Sequence, residues 1–413
     1  MRVETTVVLL FSVATAVAIA VRHIRFPYTV ALVLVGLALG ALHLVPAPHL
    51  TKELLFAVIL PGLLFEASFN IDVKEFWASR LTIGALAVPG VVAAIVLTAA
   101  LVTGMMTGFA LDPDFSWRYG LVFGALIAAT DPIAVVALFK QMHVGHRLSA
   151  LVEGESLLND GTSVVFFTLI LAFVGGAATT AGALATQFLV IVGGGILAGA
   201  LVASVAVQVT KRLNDPVIEI ALTVIAAYGS FALAEEFHCS GVIATVTAGL
   251  LCGTYGWDEG MSEDTRLAVT TFWDYLAFAL NSFVFLLIGF EVQLPALFTW
   301  APLIAVAYLG ALLGRFGVVF GVTTILSRTR ERVPFAWVTV LTWGGLRGAL
   351  SMVLALALPQ DFVHRDELVA MTYGVVLLSL LLQGLTMPWM IRYLKVGRDT
   401  EPQLPEQSSA PAT

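Results

Sequence analysis

The chain has 413 residues, of which 59% are hydrophobic and 12% charged, and its formal net charge is −7. A soluble domain carries about twice that share of charge and could not hide so much apolar surface. A water-soluble enzyme of two or three domains, a disordered chain and a coiled coil are therefore excluded. The 21 basic residues lie in short clusters between apolar runs and give no nucleic-acid signal.

A helix needs about 20 apolar residues to cross a bilayer core. Cutting the chain where charge, Pro/Gly turns and polar clusters interrupt its apolar runs predicts an all-α polytopic membrane protein of about thirteen spans. These are 3–21, 28–46, 53–70, 81–106, 119–139, 149–175, 184–210, 217–235, 241–256, 268–290, 301–326, 335–358 and 367–391. The first begins beside Arg2 and Glu4 and ends at Arg22, His23 and Arg25. Its positive end follows the apolar stretch and no small-residue cleavage site is evident, so it reads as a span and not a signal peptide. Cys239 and Cys252 sit in apolar sequence and read as small packing residues rather than a disulfide or metal site.

The Lys/Arg bias predicts orientation. With the N-terminus outside, cytoplasmic segments hold 15 of the 21 basic residues and outer segments hold 4, while Arg315 and Arg347 lie inside spans. An odd number of spans puts the C-terminus in the cytoplasm. Residues 1–398 read as one membrane domain, and 399–413 as a short disordered tail rich in Pro, Ser and Gln. The loops are short, so no soluble domain for regulatory partners is expected, and the chemistry has to lie within the bilayer.

Ionisable groups at bilayer depth are costly and mark function. In span 3, Glu66 is flanked by apolar residues. In span 5, Pro132 follows Thr130 and Asp131 and must break the helix, which is tolerated at depth only where backbone lines a cavity or packs on protein. His143 and His146, in the next cytoplasmic loop, read as plain loop histidines. In span 6, Glu155, Ser156, Asn159 and Asp160 fall on one side of a helix by their i, i+3 and i, i+4 spacing. The plain alternative is a hydrogen-bonded clamp between helices, but neutral partners do not offset a buried aspartate. Glu153, near the entry of span 6, reads as solvated; Glu219 and Asp274, near span ends, read as interfacial. Span 11 carries Arg315. In span 12, Gly344, Gly345 and Gly348 surround Arg347 and mark a second interruption. Spans 5 and 12 run in opposite directions, as the broken helices of an inverted-repeat transporter do.

Thr130-Asp131-Pro132, Glu155-Ser156-Leu157-Leu158-Asn159-Asp160 and Gly344-Gly345-Leu346-Arg347-Gly348-Ala349 together resemble the NhaP-type sodium/proton antiporters of the monovalent cation:proton antiporter-1 family. Leu60-Pro61-Gly62-Leu63-Leu64-Phe65-Glu66 and Ala234-Glu235-Glu236-Phe237-His238-Cys239-Ser240-Gly241 also look like family segments. The resemblance runs from span 1 to span 13. It implies an NhaA-like antiporter fold and a homodimer in the cell (inner) membrane. A mobile core would include spans 3–6 and 10–13, and the remainder would form the dimerisation part. No cofactor is implied; Na+ (or Li+) and H+ are the transported ions.

By the same resemblance, Asp131, Asp160, Ser156 and the Thr130 carbonyl hold the cation, with Glu66 contributing through water and braced by Asn159. Glu155 pairs with Arg315, and Arg347 with Glu235, as structural supports. An Asn-Asp pair at 159–160, where relatives linked to electrogenic exchange have two aspartates, implies one-for-one exchange. The residues argue the same way: desolvation disfavours a bare carboxylate, so Asp131, Asp160 and Glu66 hold either a proton or a hard cation, and competition for the same oxygens produces exchange. A K+/H+ antiporter of the same family and a sodium-coupled solute symporter are the alternatives. A passive channel would need an open path lined by acids or carbonyls. An intramembrane aspartyl protease would need other contexts than Thr-Asp-Pro and Asn-Asp-Gly.

Overall fold

The computed structural model describes residues 3–24, 26–42, 52–176, 180–213, 215–256 and 262–397. Arg2, Arg25, Arg398 and the expected tail 399–413 lie outside the described residues. Within them the chain is all helix and turn, with no strand.

The helices are α1 (Val3–Ile24), α2 (Tyr28–Ala41), α3 (52–70), α4 (Val73–Ala78), α5 (Arg80–Gly108), α6 (Trp117–Leu126), α7 (Ile133–Met142), α8 (His146–Val174), α9 (Ala181–Thr210), α10 (Pro216–Glu236), α11 (241–256), α12 (Glu263–Glu291), α13 (Leu294–Thr299), α14 (Ala301–Leu326), α15 (Phe335–Trp343), α16 (Ala349–Leu356) and α17 (Arg365–Tyr393). A helix, or an interrupted pair, lies at each of the thirteen apolar stretches. Seven are long and apolar enough by themselves to cross a membrane: α5, α8, α9, α10, α12, α14 and α17. Their outward faces are apolar, as on α9, where Leu189, Leu197 and Leu201 are all more than 60% exposed. Such a surface suits lipid and not water.

Helix starts follow capping chemistry. The Asp72 carboxylate accepts from Lys74 N and Glu75 N at α4, Asp215 caps α10 ahead of Pro216, and Ser240 and Ser262 cap α11 and α12. Among the described residues, π turns interrupt α3, α5 and α17 at Leu55–Ile59, Leu86–Gly90 and Ser379–Gln383, and another, the third in chain order, forms the last turn of α11 at Cys252–Gly256. The second contains Pro89, and its Ala87 carbonyl accepts from Thr162 Oγ1 of α8 at 2.6 Å. Cys252 is buried in the third, and Cys239 is half-buried.

Packing sorts the helices into two groups. In the first, α2 lies along α12, α9 and α10 lie on α11, and α3 packs on α10, α11 and α12. In the second, α5 packs on α6 and α14, α14 on α15 and α17, and α16 on α17. Helix α8 touches both. Small residues set the close approaches, as is usual where lipid removes the hydrophobic drive between helices. A Cβ at Gly36 of α2 would strike the Leu286 carbonyl of α12, and one at Gly249 of α11 would strike Ser68 of α3. Spans 3 and 10, expected in the mobile core, are α3 and α12; α3 packs on α10, α11 and α12, and α12 on α2, α3 and α10.

Two helices are broken. Helix α6 ends at Leu126 and α7 starts at Ile133; α15 ends at Trp343 and α16 starts at Ala349. The breaks meet, because Asp131 N donates to the Leu346 carbonyl at 2.8 Å. The broken helices run in opposite senses. Glu331, just before α15, accepts from Leu81 N and Thr82 N at the start of α5, whereas α6 begins after α5 has reached its other end.

Candidate functional site

Breaking a helix frees backbone groups that need partners at depth. The carbonyls of Ala128 and Ala129 find theirs in Arg347, whose guanidinium donates to both at 2.9 and 3.1 Å. Asn159 of α8 donates from Nδ2 to the Ala128 carbonyl at 3.1 Å, to Thr130 Oγ1 at 3.1 Å and to Glu155 Oε1 at 3.4 Å. Its Oδ1 accepts from Ser163 Oγ at 2.6 Å. Ser156 Oγ and Thr130 Oγ1 share a hydrogen bond of 3.0 Å. Glu155 and Arg315 form a two-pronged ion pair, with NH1 to Oε1 at 2.7 Å and NH2 to Oε2 at 2.9 Å, and NH2 also reaches the Leu341 carbonyl at 3.2 Å. Glu155 is 1% exposed and Arg315 7%. A bidentate guanidinium–carboxylate pair is the geometry in which such a buried pair holds together.

The layer lies behind a cavity of about 640 Å³, which it meets at Ala129 and Thr130. Glu66, Thr130, Asp131, Glu153, Asp160 and Asp274 line it. Its opposite end is lined by Asp72, Lys140, His143 and His146, so it reaches the face where α4 starts and α7 ends. Deep in it, Asp131 Oδ1 accepts from Ile133 N at 3.0 Å. Among the described residues no group donates to the Asp160 carboxylate or to the Thr130 carbonyl. Among the described residues, the side chains of Asn159, Ser156 and Glu155 behind them are hydrogen-bonded, and Arg315 Nε is left without a partner. Gly348 closes the floor, and a Cβ there would collide with the Asp131 carboxylate.

The structure thus brings Asp131, Asp160, Thr130 and Glu66 to one cavity. Ser156 stands one layer behind, turned to Thr130. Two expected contacts are replaced. Asn159 does not brace Glu66, because its donor is taken up by the broken segment; Glu66 accepts from Asn70 Nδ2 at 2.9 Å. Arg347 does not meet Glu235, because the freed carbonyls of Ala128 and Ala129 hold it. Glu235 is exposed at the end of α10 and accepts from Gly241 N at 3.2 Å.

Three acids sit otherwise than sequence position alone indicates. Glu153, read as solvated, and Asp274, read as interfacial, both line the cavity. Their signals were in the spacing: Glu153 is seven residues before Asp160 on the same face of α8, and Asp274 seven before Asn281, which also lines it. Glu219, also read as interfacial, is wholly buried, and neither of its carboxylate oxygens has a partner among the described residues.

The family described as "Sodium/hydrogen exchanger, transmembrane" matches residues 8–393. The Na(+)/H(+) antiporter ApNhaP of Aphanothece halophytica is 38% identical over 386 residues, covering 92% of this chain and 72% of that protein. The Na(+)/H(+) antiporter NhaP of Pseudomonas aeruginosa is 37% identical over 360 residues, covering 85% and 83%. The solved structure of the sodium proton antiporter MjNhaP1 from Methanocaldococcus jannaschii at pH 8 superposes with a TM-score of 0.77 at 19% identity, covering 95% of this chain and 98% of that one.

Proposed function

The chain belongs to the sodium/hydrogen exchanger family, a family of membrane transporters, and from that premise we propose that its cavity is the place where Na+ (or Li+) and H+ take turns. It is a multi-pass membrane protein that exchanges sodium for protons. The observation that carries the site assignment is the contrast within one pocket. Among the described residues nothing donates to the Asp160 carboxylate or the Thr130 carbonyl, and both residues line the cavity with Asp131, while the side chains of Asn159, Ser156 and Glu155 behind them are hydrogen-bonded. Oxygens without donors are what a hard cation takes as ligands. A proton on either carboxyl removes charge from the same set, so the two ions exclude each other.

Asn159 supports one-for-one exchange. All its hydrogen-bonding groups are committed and it has no proton to give up, so each cycle carries one cation against one proton. Alternating access is a movement of the group containing α5–α7 and α14–α17 past the group containing α1–α3 and α9–α12. In the arrangement seen, the cavity reaches the end of the helices that the Lys/Arg bias places in the cytoplasm. The N-terminus is then outside and the C-terminus cytoplasmic, in the cell (inner) membrane. The exposed apolar face of α9 supports a homodimer held together by the first group.

The test is sodium-driven pH change in proteoliposomes. Wild type alkalinises or acidifies the lumen as the sodium gradient dictates. Asp160→Asn, purified as a monodisperse protein, gives no such change. Full exchange by that variant rules out the site.

A further inference from the structure

At the end of the helices opposite the cavity mouth, three potential metal ligands from two separate segments converge. Asp112 lies in the loop joining α5 to α6; His364 caps α17 and Glu367 stands in its first turn. One ligand atom from each falls within 4.8 Å of the others. His364 Nδ1 is 2.5 Å from Glu367 Oε2 and 3.4 Å from Asp112 Oδ2. The three side chains are 13%, 22% and 16% exposed, so water reaches the cluster without flooding it.

The cluster is short of positive charge. Two carboxylates face one imidazole nitrogen, and a single proton on Nδ1 serves only one of them well. Glu367 is the nearer, and Asp112 Oδ2, shut off from solvent, has no hydrogen bond among the described residues. The neighbouring cation, Arg365, is turned to the Leu358 carbonyl and Asp366. The N-terminus of α17, whose dipole would repel a cation, already has Asp366 and Glu367 in its first turn.

The supports are those of a metal ligand set. Asp112 Oδ1 accepts from Asp114 N at 3.1 Å, which fixes the carboxylate plane and leaves Oδ2 toward the histidine. Tyr119 and Phe115 pack against the imidazole with ring centroids at 4.5 and 6.0 Å and limit its rotation. His364 holds a left-handed backbone (φ 60°), uncommon for a residue with a side chain, which puts its ring between the two acids. Donors around a tetrahedral ion with bonds of about 2.1 Å stand roughly 3.4 Å apart; the His364–Asp112 separation of 3.4 Å matches, while Glu367 Oε2, hydrogen-bonded to Nδ1 at 2.5 Å, has to give up that bond and draw back to admit the ion.

We propose that Asp112, His364 and Glu367 bind one first-row divalent transition-metal ion, zinc foremost, through one nitrogen and two carboxylate oxygens, with a fourth position open to water. This ligand mixture suits zinc, manganese and cobalt, and not the alkali cations. The ion staples the loop before broken helix α6 to the start of α17, and so ties the ends of the second helix group on the side away from the cavity mouth.

The test uses purified, EDTA-treated full-length protein with Co2+ as the probe. The expected result is one Co2+ per chain with a visible d–d absorption that zinc displaces, and a higher unfolding midpoint in zinc. Asp160→Asn keeps that absorption, which separates the site from the transport cavity. His364→Gln abolishes it, and Asp112→Asn and Glu367→Gln each weaken Co2+ binding tenfold or more. Should His364→Gln fail to fold, the two carboxylate variants decide. Wild type without stoichiometric Co2+ binding, or binding unchanged in the variants, overturns the proposal.

Discussion

Asp160 and Glu155 lie five residues apart on one helix and have opposite surroundings. Glu155 meets a guanidinium at 2.7 Å, while among the described residues no group donates to Asp160. A carboxylate neutralised by a fixed cation has no use for a mobile one, so Glu155 belongs to the scaffold. Arg315→Ala leaves Glu155 as an uncompensated buried charge, which costs about 3–5 kcal/mol. The expected outcome is a clearly lowered unfolding midpoint in detergent; a midpoint equal to wild type would show that the pair does not brace the site. Much of the residue inventory was legible in the sequence, because an acid or a proline inside an apolar run stands out. Orientation was not. Spacing puts Asn159 on the polar side of α8, but a rotation of a few tens of degrees decides whether its amide reaches Glu66 or Ala128. That rotation depends on where the carbonyls freed by the break come to lie. The pairing of Arg347 with Glu235, which the resemblance implied, gives way to the backbone oxygens of Ala128 and Ala129 that the break sets free.

At the scale of the element, the two breaks act as one unit. Pro132 stands at the N-cap of α7, where the chain resumes after α6 ends at Leu126, the Gly344–Gly348 run separates α15 from α16, and the hydrogen bond from Asp131 N to the Leu346 carbonyl fixes where the breaks cross. Gly348 is the tightest point, since a methyl group there enters the space of the Asp131 carboxylate. Gly348→Ala is expected to lower turnover at least tenfold, which corresponds to roughly 1.4 kcal/mol in the barrier. Gly104→Ala on α5, where a Cβ meets nothing within 4 Å, leaves turnover unchanged. Initial rates of sodium-driven pH change check both; equal rates in the two variants would detach the Gly348 contact from transport. Proline and clustered glycine announced both breaks in the sequence. The π turns had weaker signals, because only the one at 86–90 contains a proline, and a π turn alters no hydrophobic pattern.

At the scale of the molecule, a helix or an interrupted pair lies at each of the predicted apolar runs. The resemblance places spans 3 and 10 with the mobile core. Helices α3 and α12 pack on helices of the first group, and their Glu66 and Asp274 line one cavity with Asp131 and Asp160. The alternating access proposed above is a relative movement around that cavity. One cation against one proton leaves no net charge moved. The rate in proteoliposomes should accordingly be the same with and without an imposed membrane potential; a rate that follows the potential would refute the one-for-one count.

Whether sodium and protons displace each other is answered most directly by counting protons released when Na+ is added to the purified protein in weakly buffered detergent solution. At a pH where the empty site is protonated, about one proton should leave for each Na+ bound, as ligands give up protons to a metal, and Asp160→Asn should release none. Saturable Na+ binding to wild type with no proton released would contradict the account.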